Sequence, residues 1–306
     1  MKRYNALSTY WKNRYKKRVQ RLPVSAGLGC PNRKGGEEPS GCIFCDPTGS
    51  GFAAVEPDVD YEEQIREMIN RTQNRYGKDI LFAVYLQSYT NTYGSVEKLR
   101  SIYDRLFVDP RIVIFDIATR PDCVEEEKLD LITSYSTRVD LLVELGLQST
   151  KRSTLVDLNR GHTLADFIDA VIRTRKRGIE VVAHMITDLP QDSKDDLVES
   201  ARILSALGVE GVKLHSLYVV EGTELDRRIQ EGRYERLGLK DFVERTVLFL
   251  EHLDPSIVIQ RLVSDPPHEG AYGNWGLPKI RIIQAIEQAM KDKDTYQGKY
   301  FDYPGR

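Results

Sequence analysis

The sequence predicts an α/β protein with parallel strands, on three observations. Apolar, β-branched runs alternate with longer amphipathic stretches, the alternation recurs six or seven times, and the intervening stretches are long enough to be crossover helices. Crossovers of that length favour parallel pairing, because each return path consumes a helix. So many units point to an open or closed barrel, with a doubly wound sheet as the structural rival.

In chain order, the expected strands are Leu22 to Ala26, Ile80 to Gln87, Ile112 to Ala118, Val139 to Glu144, Glu180 to Ile186, Val212 to Tyr218 and Ile257 to Leu262. The expected helices are Tyr61 to Tyr76, Val96 to Phe107, Glu125 to Ser134, Leu164 to Arg177, Lys194 to Leu207, Leu239 to His252 and Pro278 to Met290. The charged stretch Glu221 to Leu239 interrupts the alternation, either as an excursion over the active face or as a solvated connection. In a barrel, function gathers where strands end. The loops 30–45, 87–94, 119–123, 144–149, 187–192 and 218–223 fall there.

The composition of the 306 residues, 41% hydrophobic and 29% charged, is that of a soluble globular protein, and no run is apolar enough to span a bilayer. The basic N-terminus lacks the apolar run of a secretory signal, so a cytoplasmic protein with no membrane attachment is the expectation. A net charge of -2 argues against a chain that coats nucleic acid over its whole surface. Residues 1–23 nevertheless carry Lys2, Arg3, Lys12, Arg14, Lys16, Lys17, Arg18 and Arg21 with no acidic residue among them. With Tyr4, Tyr10, Trp11 and Tyr15, this arm suits phosphate and base contacts, or is a solvated, partly helical extension.

Three of the four cysteines crowd into CPNRKGGEEPSGCIFC, where Cys42 and Cys45 form a Cys-x2-Cys pair and Cys30 precedes them. Soft thiolates at such spacing suit iron-sulfur or zinc. A structural zinc site wants four ligands, and no His or further Cys lies between Cys45 and Cys123. A cluster with one vacant iron wants three thiolates, which these cysteines match. Cys123 is either a fourth ligand or a buried thiol.

Together with that loop and its preceding AGLGCPNR, the segments QSYTNTYG, ATRPDC, ELGLQS, NRGH and KLHSLYVVEGT resemble a known family. They are similar to the radical S-adenosylmethionine (SAM) proteins of the bacterial YhcC/YtqA type, relatives of the radical domain of the elongator catalytic subunit. The likeness runs from about Tyr10 to Ile286. The familiar superfamily spacing is Cys-x3-Cys-x2-Cys, and Cys30-x11-Cys42-x2-Cys45 is the long-loop form expected of this branch.

The resemblance implies a partial (β/α)6-type TIM-like barrel over 24–263, preceded by the basic arm and followed by a short C-terminal extension, 264–306, packed on it. It also implies a [4Fe-4S] cluster on Cys30, Cys42 and Cys45 and reductive cleavage of SAM to a 5'-deoxyadenosyl radical. Phe44 is then expected to flank the adenine. Gln87, Ser88, Tyr89, Thr90 and Asn91 are expected near the methionine amino group, or as an ordinary polar loop. Glu144 is a candidate for ribose or ammonium, or a structurally paired carboxylate; Gln148 and Ser149 shape the same rim.

Arg160 is the candidate clamp for the methionine carboxylate, since its planar donors make bidentate pairs. His162 beside it has either a direct role or a place in the turn before a helix capped by Thr163. Asp188 belongs to a retuned cofactor wall, MITDLPQD, where relatives carry Gly-Leu-Pro-Gly-Glu. Arg120 and Asp122 are expected as a scaffold network or as ligand contacts. His184, His215 and Tyr218 are substrate-pocket candidates, the histidines alternatively core residues, while Arg261, His268, Trp275 and Lys279 are expected at the entrance, Trp275 alternatively as a packing anchor.

With three cysteines used, only one remains, which indicates a single cluster. The nearest functional analogy is modification of the C5 side chain of a tRNA wobble uridine, with flavodoxin or ferredoxin as electron donor. Radical chemistry on a small metabolite or protein, and a non-enzymatic zinc or RNA-binding protein, are the alternatives.

Overall fold

The computed structural model describes residues 2–33, 41–45, 49, 60–264, 266 and 270–303. Among these residues are nine strands: β1 Arg18–Val24, β2 Ile80–Leu86, β3 Ile112–Thr119, β4 Asp140–Gln148, β5 Glu180–Ile186, β6 Gly211–His215, β7 Val219–Val220, β8 Val258–Arg261 and β9 Ala271–Tyr272. Seven form one parallel sheet in the order β1-β2-β3-β4-β5-β6-β8, and β7 pairs with β9 in a small antiparallel ribbon. Each crossover advances the chain by one place in the same direction. A doubly wound sheet would reverse order at a switch point, so that rival is excluded.

The sheet curls until its edges approach each other at the base. Arg21 of β1 donates to Gln260 of β8, and the Ile259 amide donates to the Asn5 carbonyl at 2.7 Å. The architecture is a partial barrel with helices outside.

Those helices dock by amphipathic faces on the outer side of the sheet. The helix Tyr61–Tyr76 buries Ile65 and Ile69, and Asp60 caps it through the Glu62 amide. The helices Leu164–Lys176 and Lys194–Leu207 both open with reciprocal capping boxes, Thr163 with Asp166 and Ser193 with Asp196. No helix among the described residues is long and apolar enough to cross a membrane.

Side chains inside the barrel stack in layers, because residues two apart on a strand share a face. The lowest layer is apolar: Ala83, Ile114, Leu142 and Val182, sealed from below by Trp11. Two residues further along the same strands stand Tyr85, Asp116, Glu144 and His184, a polar layer. Gln87, Ala118, Gly146 and Ile186 come next and open onto a cleft.

Trp11 lies on the helix Leu7–Tyr15, which closes the N-terminal mouth of the barrel. Arg14 on that helix pairs with Asp140 at 2.9 Å and also with Glu180, the first residues of β4 and β5. The segment 1–23 thus supplies a plugging helix and most of β1. It sits at the opposite end of the barrel from the cysteine loop, which follows the C-terminal end of β1.

Candidate functional site

A cleft of about 510 Å³ opens at the C-terminal ends of the strands, and Cys30, Cys42 and Cys45 all line it. Cys42 is buried, and two donors reach its sulfur: Arg160 Nη1 at 3.4 Å and Asn32 Nδ2 at 3.5 Å. The loop is pinned to the segment after β4 by three bonds: Asn32 Nδ2 to the Asn159 carbonyl, Asn159 Nδ2 to the Gly41 carbonyl, both 2.7 Å, and Ile43 amide to the Leu158 carbonyl, 3.1 Å. Among the described residues, no three His, Cys, Asp or Glu side chains already converge as a metal site.

Arg160 is buried and anchored. Nε donates to Gln148, Nη2 donates to the Gly146 carbonyl at 3.3 Å, and its own carbonyl accepts from Arg120 Nη1 at 2.8 Å. Gly146 is required for this approach, since a Cβ there would lie 2.5 Å from Arg160 Nη2. Gln148 has φ 66°, a left-handed backbone that turns its side chain toward Arg160. Arg120 also holds Asp122 through two bonds of 2.8 Å, and its charge is felt by Cys30 and Cys42.

Below the cleft, Glu144 is fully engaged. One oxygen accepts from Arg21 Nη2 at 3.1 Å; the other meets His184 Nε2 at 2.8 Å and Lys213 Nζ. Burial opposes its charge, but Lys213, Arg21 and His184 together hold its carboxyl well below the usual range. Asp116 beside it takes Arg21 Nε at 2.9 Å, and burial followed by repulsion from Glu144 pushes it up to about 7. Burial and Arg21 push Lys213 down to about 7, and burial pushes His184 down to about 4.

Of the other residues singled out for the cofactor, Phe44, Gln87, Tyr89 and Thr90 line the cleft, as do Glu144, Gln148 and Arg160. Gln87 Nε2 and Thr90 Oγ1 are buried without a partner among the described residues, which leaves polar capacity for a bound molecule. Asn91, Ser149 and Asp188 do not line it. Asn91 staples β2 to β3, its Nδ2 donating to the Ala118 carbonyl at 2.9 Å. Ser149 accepts from the Lys151 amide at 3.0 Å. Asp188 supports the cleft wall from behind by accepting from the Leu217 amide at 2.8 Å, and burial raises it to about 6.

His162 is buried outside the cleft, pushed down to about 2 by burial and by Arg160 and Arg120, and is therefore neutral. Cys123 is buried away from the cleft, and burial, then Asp122, pushes its thiol up to about 12. Trp275 packs on Phe242 with ring centroids 5.1 Å apart and donates to the Leu237 carbonyl at 3.0 Å. His268 lies outside the described residues. Sequence reading had no role for Tyr85, Asp116 or Lys213, or for Arg21 inside the barrel. The available signal was a lone charge within apolar strands, as in IVIFDIAT and GVKLH.

The Radical SAM superfamily model matches residues 24–204, and the Radical_SAM C-terminal domain model matches 209–292. The chain belongs to the radical SAM superfamily. Among similar radical SAM chains, MJ0486 of Methanocaldococcus jannaschii is 36% identical over 297 residues, 95% of this chain and 90% of the relative. YtqA of Bacillus subtilis is 33% identical over 301 residues, 98% of this chain and 93% of the relative. The archaeal Elp3 of Methanocaldococcus infernus superposes with a TM-score of 0.72 at 19% identity, over 92% of this chain and 64% of that one, a likeness of fold. A radical SAM enzyme uses SAM and an iron-sulfur centre.

Proposed function

We propose that the chain is a single-cluster radical SAM enzyme that carries its [4Fe-4S] group on Cys30, Cys42 and Cys45 and acts on the C5 side chain of a tRNA wobble uridine. The observation that carries the cluster assignment is that these three thiols, and not Cys123, line one cleft, with Arg160 and Asn32 donating to the Cys42 sulfur. Three soft donors on one cleft, one of them with N–H groups at its sulfur, fit an iron-sulfur cluster. Held by Cys30, Cys42 and Cys45, such a cluster would supply the one-electron reducing chemistry of SAM cleavage.

The chain's own residues prepare the cleft for that event. Arg160 and Arg120 bring positive charge to the cysteine end. Gln87 and Thr90 offer the unpaired polar atoms suited to the methionine end of SAM, and Gln148 fixes Arg160 in place. Phe44 lines the cleft as an apolar surface for the adenine, and Ile186 and Leu217 of the cluster it packs against extend that surface. Flavodoxin or ferredoxin is proposed as the donor of the electron.

The tRNA reading is supported by the sequence likeness to the radical domain of the elongator catalytic subunit; the human Elongator complex protein 3 is 32% identical over 155 residues, 49% of this chain and 28% of that protein. The plugging helix turns the basic segment away from the cleft, and this favours a second reading, radical chemistry on a small metabolite or protein. Incubating the reduced holoenzyme with SAM and bulk undermodified tRNA, then digesting the tRNA to nucleosides for mass spectrometry, decides between them. A mass change confined to a wobble uridine supports the first; unchanged nucleosides, with 5'-deoxyadenosine formed only on adding a metabolite extract, support the second.

A further inference from the structure

The cleft has two charged ends. Arg33, Arg120 and Arg160 stand with the cysteines, whereas Arg261 stands with Tyr85, His184 and His215, each of whose ionisation it influences. Arg261 is the last residue of β8 and is paired in register with Lys213 of β6, so the two side chains share the inner face of the sheet. His215 lies two residues beyond Lys213 on β6 and points to that same face. Arg261 and His215 therefore meet at the cleft, on the adjacent strands β8 and β6.

Among the described residues, Arg261 has neither a carboxylate partner nor a hydrogen-bond acceptor, in contrast to Arg120 and Arg160 of the same cavity. A guanidinium half-buried in a cleft and lacking a counter-charge is poised for an anion, for which charge-assisted, bidentate bonding is its best use.

His215 adds a second requirement. Ser264 Oγ donates to the Ser216 carbonyl at 2.8 Å, and a carbonyl can only accept. The serine proton is thereby used, so Ser264 Oγ accepts from His215 Nδ1 at 3.2 Å, and Nδ1 carries the imidazole proton. Burial, with Arg261 and His184 nearby, keeps the ring neutral. Nε2 is left as a buried acceptor with no partner among the described residues.

We infer that Arg261 and His215 form a substrate subsite for an anionic group that carries a hydrogen-bond donor close by, Arg261 taking the anion and His215 Nε2 the donor. The inference rests on the reading of this cleft as the place where substrate meets cofactor, and it adds the chemical class of the substrate: a carboxylate or phosphate flanked by an N–H or O–H.

Phenylglyoxal labelling of the reconstituted full-length enzyme, followed by peptide mapping, tests it without requiring SAM cleavage. Arg261 is expected to be labelled in chloride and protected by acetate or by inorganic phosphate, while exposed Arg227, paired with Glu224, changes with neither. Protection by acetate alone assigns a carboxylate source and by phosphate alone a phosphate source. Glycolate, which adds a hydroxyl to the carboxylate, is expected to protect about tenfold better than acetate in the wild type, since one well-made hydrogen bond is worth on the order of 1 kcal/mol or more. In the His215→Ala variant, acetate protection persists and the glycolate advantage disappears. Equal labelling of Arg261 in all three anions overturns the subsite, and an unchanged glycolate advantage in His215→Ala overturns the part given to His215. Loss of radical activity with protection intact would count against the enzymatic reading and leave the subsite standing.

Discussion

Arg160 Nη1 donates to Cys42 Sγ across 3.4 Å, with the guanidinium held in place by Gln148 and the Gly146 carbonyl. A donor at a ligating sulfur stabilises the more negative, reduced state of a cluster. Arg160→Met is therefore expected to make the midpoint potential more negative and to lower SAM cleavage about tenfold or more. Gly146→Ala, whose added Cβ would press on Arg160 Nη2 at 2.5 Å, should shift the potential in the same direction. Redox titration followed by electron paramagnetic resonance measures both; an unchanged potential in Arg160→Met contradicts the role given to this contact.

Cys123 behaves differently from the other three thiols. Its pKa, pushed up to about 12 by burial, leaves almost no thiolate at pH 8. In cluster-free protein, iodoacetamide should modify Cys30 and Cys45, both half-buried at the cleft, well before Cys123. Cys123→Ala should retain full iron and sulfide, while alanine at 30, 42 or 45 loses them. Peptide mapping and iron analysis check the two halves separately.

The Asp116 carboxyl, raised to about 7 from 3.8, binds its proton more tightly in the folded than in the unfolded chain. Its contribution to stability is complete at acid pH and is lost as pH rises toward about 7. Asp116→Asn removes that dependence. The variant should thus gain on the wild type between about pH 4 and 7, seen as a rising difference in urea midpoints. A difference that is flat with pH, or of opposite slope, contradicts the proton assignment.

Trp11 closes the base of the barrel against Ala83, Ile114, Leu142 and Val182. Replacing a buried Trp by Ala removes a large packed side chain, so Trp11→Ala should lose about 3 kcal/mol of stability in denaturant unfolding. Lys12→Gln, on the same helix and exposed, should change it by less than about 0.5 kcal/mol.

Much of this architecture was legible because local pattern and tertiary role agree. β5 and the helices Tyr61–Tyr76, Lys194–Leu207 and Leu239–His252 begin and end where periodicity and caps place them. β1 does not: the apolar run Leu22 to Ala26 suggests a strand, yet the observed one starts at Arg18. Its inward Arg21 is stabilised by Asp116 and Glu144, far away in sequence, and no local pattern reports such partners. The same reason hid the barrel's charged layer, where Lys213 is buried only because Glu144 faces it. That Cys30, Cys42 and Cys45 would sit at one strand end was legible from their spacing, whereas Asn91, Ser149 and Asp188, polar residues near strand ends, brace backbone beside the cleft instead of lining it.

The most direct test of the central claim is 5'-deoxyadenosine formation by anaerobically reconstituted, dithionite-reduced protein supplied with SAM, compared with the Cys30→Ala, Cys42→Ala and Cys45→Ala variants. Product from the wild type and Cys123→Ala, absent from the other three, is the predicted result. A fully loaded, reducible cluster that yields no 5'-deoxyadenosine, or cleavage that survives loss of Cys42, would contradict it.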